Sequence, residues 1–184
     1  MATYRIAVIV GSLRKDSHNR RLAGALERMA PAEFRLTQLR IDDLPLFNQD
    51  DEARPVEAVR RFKAEVAAAQ GVLFVTPEYN RSMPGVLKNA IDQGSRPYGQ
   101  SVWGGKPAGV IGVSIGAIGT ALAQQHLRNS LVFLDMHAMA QPEAFLQVND
   151  AFFDAQGDIG EASRGFVQRW LDRYLAWVTL HNPA

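Results

Sequence analysis

The 184-residue sequence contains no cysteine, and this absence excludes several kinds of chemistry. Without cysteine there are no disulfides, no thiolate metal ligands and no thiol-based redox reactions. Any redox function would therefore depend on a bound cofactor. The four histidines, His18, His126, His137 and His181, lack the spacing of metal ligands, so we predict no metal site.

A strong charge of one sign and long apolar runs are also missing. Twenty Lys and Arg residues oppose nineteen Asp and Glu residues, which gives a formal net charge of +1 and no overall basic field for nucleic acid. No apolar run is long enough to cross a bilayer, and the first residues lack the features of a signal peptide. We expect a cytoplasmic protein with no nucleic-acid or membrane partner. The chain length fits a single domain over residues 1–184.

Short apolar runs alternate with helix-like segments along the chain. The apolar runs predict five strands, at 5–10, 34–41, 72–76, 106–114 and 136–140. Helices are predicted at 19–29, from 55 to about 70, and at 84–94, 120–131 and 161–180, with a polar loop at 42–54. This alternation predicts an α/β fold, a parallel sheet with helices on both faces in a three-layer αβα sandwich. In the flavodoxin-like strand order, 2-1-3-4-5, strands one and three are neighbours at the point where ligands bind.

The loop after the first strand has the composition of a phosphate-binding site. It runs from Gly11 to Asn19, GSLRKDSHN, and leads into a helix whose N-terminal N–H groups attract anions. Ser12 and Ser17 add hydroxyl groups, and Arg14 adds a permanent positive charge. A simple N-cap at Ser17 would not explain Arg14, and the chain contains neither GxGxxG nor GxxxxGK[ST]. We therefore predict that Ser12, Arg14, Ser17 and Asn19 bind a phosphate.

The loop after the third strand, TPEYNRSMPG, is suited to a flat polar ring. Pro77 and Tyr79 offer rigid apolar surface, and Asn80 and Ser82 offer hydrogen bonds to ring carbonyls. Glu78 would repel a phosphate or a reduced ring, so we expect it to accept hydrogen bonds from backbone N–H groups or an Arg and to shape the loop. The start of a helix at this point, capped by Ser82 and with Pro84 in its first turn, would explain those two residues. It would not explain the Pro-Glu-Tyr-Asn sequence before them.

A third loop, SIGAIGT, follows the fourth strand and carries two glycines that allow a ligand to approach the backbone closely. Taken alone it fits a plain glycine-rich turn equally well. Beside the other two loops, we predict that Ser114 and Gly116 complete the ring pocket. A ligand with a phosphate at one end and a flat polar ring at the other is flavin mononucleotide, so the three loops together predict bound FMN.

At these motifs the sequence resembles the NADPH-dependent FMN reductase family, which includes bacterial NAD(P)H:quinone reductases and soluble chromate reductases. The motifs that carry the resemblance are GSLRKDSHN, TPEYNRSMPGVLKNAID, GGKP, SIGAIGT and HLRNSLVFLDM. The resemblance implies a flavodoxin-like fold, tightly bound FMN and assembly as a homodimer or homotetramer. It assigns the FMN phosphate to the four residues predicted for it, and the ring to Pro77, Glu78, Tyr79, Asn80 and Ser82, with Ser114 nearby. The chain departs from the family pattern at five positions: Arg81, Gln93, Gly94, Leu122 and Gln125.

The resemblance also implies an FMN-dependent NAD(P)H oxidoreductase that works by a ping-pong cycle. NADPH or NADH would pass a hydride to FMN and leave, and an acceptor such as a quinone, free flavin, azo compound or chromate would then take the electrons. No side chain is predicted to act as a general acid or base. A candidate subunit contact consists of four apolar residues: Phe133, Leu134, Met136 and Met139.

Two other classes of protein share the predicted topology. A flavodoxin-type electron carrier would bind FMN without NAD(P)H chemistry, but Arg14 and the near-neutral charge argue against it. A response-regulator-like phosphoacceptor would need an Asp at the end of the third strand, where Thr76 and Pro77 stand.

Overall fold

The computed structural model describes residues 4–183 and confirms the predicted alternation of strands and helices. The strands are β1 (Tyr4–Val10), β2 (Phe34–Gln38), β3 (Gly71–Val75), β4 (Pro107–Ser114), β5 (His137–Ala138) and β6 (Phe145–Gln147). The helices are α1 (His18–Met29), α2 (Glu57–Ala67), α3 (Gly85–Ser95), α4 (Ala121–Phe133) and α5 (Glu161–His181). A short 3₁₀ turn at Gln49–Asp51 lies within the polar loop that follows β2.

The sheet is parallel, with the strand order β2-β1-β3-β4-β5. This is the predicted flavodoxin-like order, and helices cover both faces as expected for a parallel sheet. Side chains alternate between the faces along each strand. In β3, Leu73 and Val75 pack with α1 and α5 in one apolar cluster, whereas Val72 and Phe74 pack with α2, α3 and α4 in the other.

The fifth position of the sheet is divided between two short strands, so the prediction of five strands was wrong by one. β5 pairs with Pro107 and Ala108 at the start of β4, and β6 pairs with the end of β4. Between them lies Pro142, which has no N–H group to donate to a ladder. The intervening segment turns inward instead, where Met139 and Ala144 join the core. The predicted strand at 136–140 contains β5, whereas β6, with three residues, is too short for a period-two pattern to reveal it.

Strand register brings the predicted loops together at one edge of the sheet. Val10, at the end of β1, pairs with Val75 at the end of β3. The first residue of each following loop continues the ladder: the Gly11 N–H donates to the Val75 carbonyl at 2.9 Å, and the Thr76 N–H donates to the Ile111 carbonyl at 3.0 Å. The loops after β1, β3 and β4 therefore leave the sheet side by side.

Candidate active site

The loop after β1, residues 11–17, is anchored in the core at both ends. Ser12 and Ser17 are buried, and the Ser17 hydroxyl accepts a hydrogen bond from the Arg20 N–H at the start of α1. This cap serves only one of the four N–H groups that lack partners inside a helix at its N-terminus. Between the anchors Arg14 is exposed, and its guanidinium donates to the Asp16 carbonyl at 2.5 Å. The loop thus has a backbone that is anchored at both ends and an exposed positive charge, that of Arg14, between them.

Asn19 performs a structural role that its sequence position did not reveal. Its amide Nδ2 donates to the Val113 carbonyl at 2.9 Å, and its Oδ1 accepts from the Val113 N–H at 3.0 Å. The side chain is only 3% exposed, so both hydrogen bonds are shielded from water. Asn19 therefore ties α1 to β4, and what it can still offer a ligand is its second amide hydrogen and its backbone N–H.

His18, the first residue of α1, lies between positive charges. Burial and then the charges of Arg14 and Arg21 lower its pKa below the ordinary value. Its ring lies parallel to that of Phe153, over which the Arg21 guanidinium also sits. A cavity of 360 Å³ opens beside it, and His18, Arg21 and Asp150 are among the residues that line it. The N-terminus of α1 is therefore an electropositive region, where an anion would be favoured.

The loop after β3 contains a tight two-residue turn. The N–H groups of Tyr79 and Ser82 each donate to the other's carbonyl, at 3.0 and 3.1 Å. Asn80 and Arg81, between them, have positive φ values of 52° and 64°. Asn tolerates this backbone conformation, but for Arg it is uncommon and costs energy. Contacts around the turn must therefore hold it in place.

Glu78 supplies one of these contacts. Its Oε2 accepts from the backbone N–H groups of Leu122 at 3.0 Å and Ala123 at 3.2 Å, in the first turn of α4. The N-cap residue of that helix, Thr120, makes no side-chain capping bond, so Glu78 caps α4 from a different loop. The positive end of the helix dipole stabilises the carboxylate. The expectation that Glu78 bonds backbone N–H groups and shapes the loop is confirmed.

His126 supplies a second contact, which was not predicted. Its Nδ1 lies 2.9 Å from the Ser82 hydroxyl. Nothing in the sequence around His126 indicated this contact. The two residues are 44 positions apart, and only the packing of α4 against the loop brings them together.

The loop after β4 reaches the same edge. The Ser114 hydroxyl accepts from the Gly116 N–H at 3.2 Å, and a side chain at Gly116 would meet only this hydroxyl group. Gly119 has a φ of +65°, and a Cβ at this position would lie 2.7 Å from the Phe145 carbonyl carbon and 2.8 Å from the Leu146 nitrogen. Gly119 is therefore required for packing onto β6, whereas Gly116 leaves open space where a ligand can approach.

Two contacts join the first two loops. The Ser12 hydroxyl lies 3.5 Å from the Tyr79 hydroxyl, and a Cβ at Gly11 would touch the Pro77 ring at 3.3 Å. The structure thus brings the predicted phosphate residues and the predicted ring residues to one continuous edge. Their combination of N–H donors, hydroxyls, one guanidinium and rigid apolar surface fits the phosphate and the ring of FMN.

Apolar side chains project from all three loops. The exposed members are Leu13 after β1, Tyr79 after β3, and Ile115 and Ile118 after β4. Ile115 is the most exposed of them, at 76%. The edge therefore has apolar surface beside its polar loops.

Other features of the described chain can be stated briefly. A cavity of 550 Å³ lies between the loop after β2, α2 and the end of α3, and no predicted site residue lines it. Within residues 4–183 no group of three or more His, Asp or Glu residues is placed to hold a metal ion. Nor does any described helix combine the length and apolar character needed to span a bilayer.

Comparison with known proteins agrees with this geometry. The NADPH-dependent FMN reductase family model matches residues 4–150. A 2-hydroxy-1,4-benzoquinone reductase from a Burkholderia species is 53% identical over 175 residues, which cover 95% of this chain and 96% of that protein. A quinone reductase from Pseudomonas putida is 52% identical over 97% of both chains. The structure of FerB, a flavoenzyme NAD(P)H:(acceptor) oxidoreductase from Paracoccus denitrificans, superposes with a TM-score of 0.93 at 44% identity, covering 97% of this chain and 99% of that one. The chain belongs to the NADPH-dependent FMN reductase family and is a flavin-dependent oxidoreductase.

Proposed function

We propose that FMN lies along the edge formed by the three loops and carries electrons from NAD(P)H to quinones. The residues that would hold the phosphate are Ser12, Arg14, Ser17 and Asn19. Those that would hold the ring are Pro77, Glu78, Tyr79, Asn80 and Ser82, with Ser114 and Gly116 beside them. The observation that carries this proposal is the register of β1 and β3, which starts the two loops side by side.

In this arrangement the protein binds and orients, and bound FMN supplies the hydride chemistry. The α1 N-terminus and Arg14 would neutralise the phosphate. Asn80 and Ser82 would donate hydrogen bonds toward the pyrimidine edge of the ring, where negative charge accumulates on reduction. Glu78 would not touch that charge, because its carboxylate is occupied by the N–H groups of α4.

The apolar surface beside the loops favours a quinone as the acceptor. Ile115, Ile118 and Tyr79 would contact the flat carbon ring of a quinone lying on the flavin and remove apolar area from water. An oxyanion such as chromate gains nothing from such contacts. The names of the Burkholderia and Pseudomonas relatives, both quinone reductases, point in the same direction.

The experiment that tests this proposal is visible spectroscopy under anaerobic conditions. Purified protein, loaded with FMN where necessary, should show a flavin spectrum that bleaches with NADPH or NADH and returns with benzoquinone. A flavin spectrum indifferent to both nicotinamides would instead identify an electron carrier. Failure to take up FMN would rule out the site itself.

We also propose that the protein is a homodimer or homotetramer. At the end of α4, Phe133 is 89% exposed, so this residue of the predicted contact surface is available to a second copy, together with its exposed neighbour Val132, which was not predicted. Met136 and Met139 are buried in the core, so the prediction was wrong for these two residues. Sedimentation velocity should give a mass of two or four chains, and Phe133→Glu should lower it. A monomeric wild-type protein would contradict this proposal.

A further inference from the structure

Helix α4 holds the turn after β3 at two points. The Glu78 carboxylate, before the turn, binds the N–H groups of Leu122 and Ala123. The Ser82 hydroxyl, at the end of the turn, lies 2.9 Å from Nδ1 of His126, which is one helical turn further along α4. Two residues with positive φ, Asn80 and Arg81, lie between these points. One helix therefore fixes both ends of an energetically unfavourable turn.

The direction of the hydrogen bond between Ser82 and His126 decides what Ser82 can do for a ligand. A serine hydroxyl has one hydrogen to donate and two lone pairs to accept. If Ser82 donates to His126, it can only accept from a bound ring. If His126 donates from Nδ1, the hydrogen of Ser82 is free to point at a ring carbonyl.

We propose that His126 is a positioning residue that donates from Nδ1 to Ser82 and so directs the Ser82 hydroxyl hydrogen at the pyrimidine edge of FMN. This inference rests on the proposed FMN site. It goes beyond that site by giving a functional role to an exposed residue outside the three loops. The arrangement stabilises the reduced ring more than the oxidised ring, because a donor is worth most where negative charge has accumulated.

The first test compares His126→Ala and His126→Asn with Asn129→Ala, an exposed neighbour on α4 used as a control. His126→Ala should weaken FMN binding about fivefold, the effect of one hydrogen bond. It should also shift the FMN midpoint potential to a more negative value, which a loss of stability alone would not do. His126→Asn keeps an N–H donor on a shorter side chain, so it should restore part of the FMN affinity and part of the midpoint potential. A potential in His126→Ala equal to that of the control would overturn the proposal.

The second test observes the His126 tautomer directly and can be made on the apoprotein, with a variant used only to assign the signal. Nitrogen-15 NMR of protein labelled at histidine distinguishes a protonated Nδ1 from an unprotonated one, and the His126 signal is the one missing from His126→Asn. We expect hydrogen on Nδ1 in both the apoprotein and the FMN-loaded protein. An unprotonated Nδ1 would overturn the assignment of His126 as donor. Because the apoprotein measurement does not require FMN, failure of the wild-type protein to bind FMN would reject the proposed function separately.

Discussion

The loops after β1 and β3 begin at the same edge of the sheet but are stabilised in different ways. The loop after β1 is anchored by buried groups: Ser12, Ser17 and the Asn19 amide are shielded from water. The loop after β3 has an exposed turn, and polar contacts from α4 hold it. We infer that residues anchoring the first loop control stability and FMN binding together. Residues around the second loop should control FMN binding with a smaller effect on stability.

The largest effect should come from Asn19→Ala. The substitution removes two buried hydrogen bonds and leaves the N–H and carbonyl of Val113 without partners. We expect the free energy of unfolding to fall by about 3 kcal/mol, because each unpaired buried group costs about 1–3 kcal/mol. Urea denaturation measures this change. Asn129→Ala, at an exposed position, is the matched control, and equal values for the two variants would contradict the buried role of Asn19.

Arg14→Ala separates binding from stability within the first loop. Arg14 is exposed, so its removal should leave the urea midpoint nearly unchanged. The affinity for FMN should fall about tenfold or more, because a charge-assisted contact with phosphate contributes about 1.5–3 kcal/mol. Titration of the apoprotein with FMN, monitored by the quenching of FMN fluorescence, gives the dissociation constant. Unchanged FMN affinity would remove Arg14 from the phosphate site.

Glu78→Ala should act mainly on the second loop. The variant removes the cap of α4 and one end of the support for the turn. We expect about 1 kcal/mol of lost stability, the usual effect of a helix cap, together with about fivefold weaker FMN binding. Glu161→Ala, which changes a Glu in the first turn of α5, is the control. If both variants bind FMN equally well, Glu78 does not position the turn.

The smallest effect concerns pH. Because burial and the charges of Arg14 and Arg21 lower the pKa of His18, the folded apoprotein binds this proton less readily than the unfolded chain. The contribution of His18 to stability is therefore constant above about pH 6.5 and declines as the pH falls from there toward its lower folded pKa. Denaturation of wild-type protein and His18→Gln at several pH values should show a weaker decline in the variant. Identical pH profiles would contradict this role.

Sequence reasoning captured the features that depend on local pattern. The strand alternation and the positions of the three loops are visible in short stretches of sequence, and the strand order follows from the flavodoxin-like fold that the family resemblance implies. Even the behaviour of Glu78 was predictable, because a carboxylate beside an anion site needs N–H partners. This prediction needed only the charge of the Glu78 side chain, and no knowledge of its contacts with α4.

The features that the sequence did not reveal depend on contacts between distant segments. Asn19 meets Val113 across 94 positions, and nothing in either local sequence distinguishes a ligand-binding amide from one that ties a helix to a strand. His126 resembles any other exposed helix residue until α4 is placed beside Ser82. β6 was missed for a different reason, since its three residues carry too little periodicity.

The most direct test of the account compares FMN with riboflavin, which has the same ring but no phosphate, in titrations of the wild-type and Arg14→Ala apoproteins. If the first loop binds the phosphate and the second binds the ring, wild-type protein should bind FMN at least about a hundredfold more tightly than riboflavin, a difference of about 2.7 kcal/mol. Arg14→Ala should reduce that preference while leaving riboflavin binding unchanged. Equal affinities of wild-type protein for the two flavins would contradict the central claim that these loops divide the recognition of FMN between them.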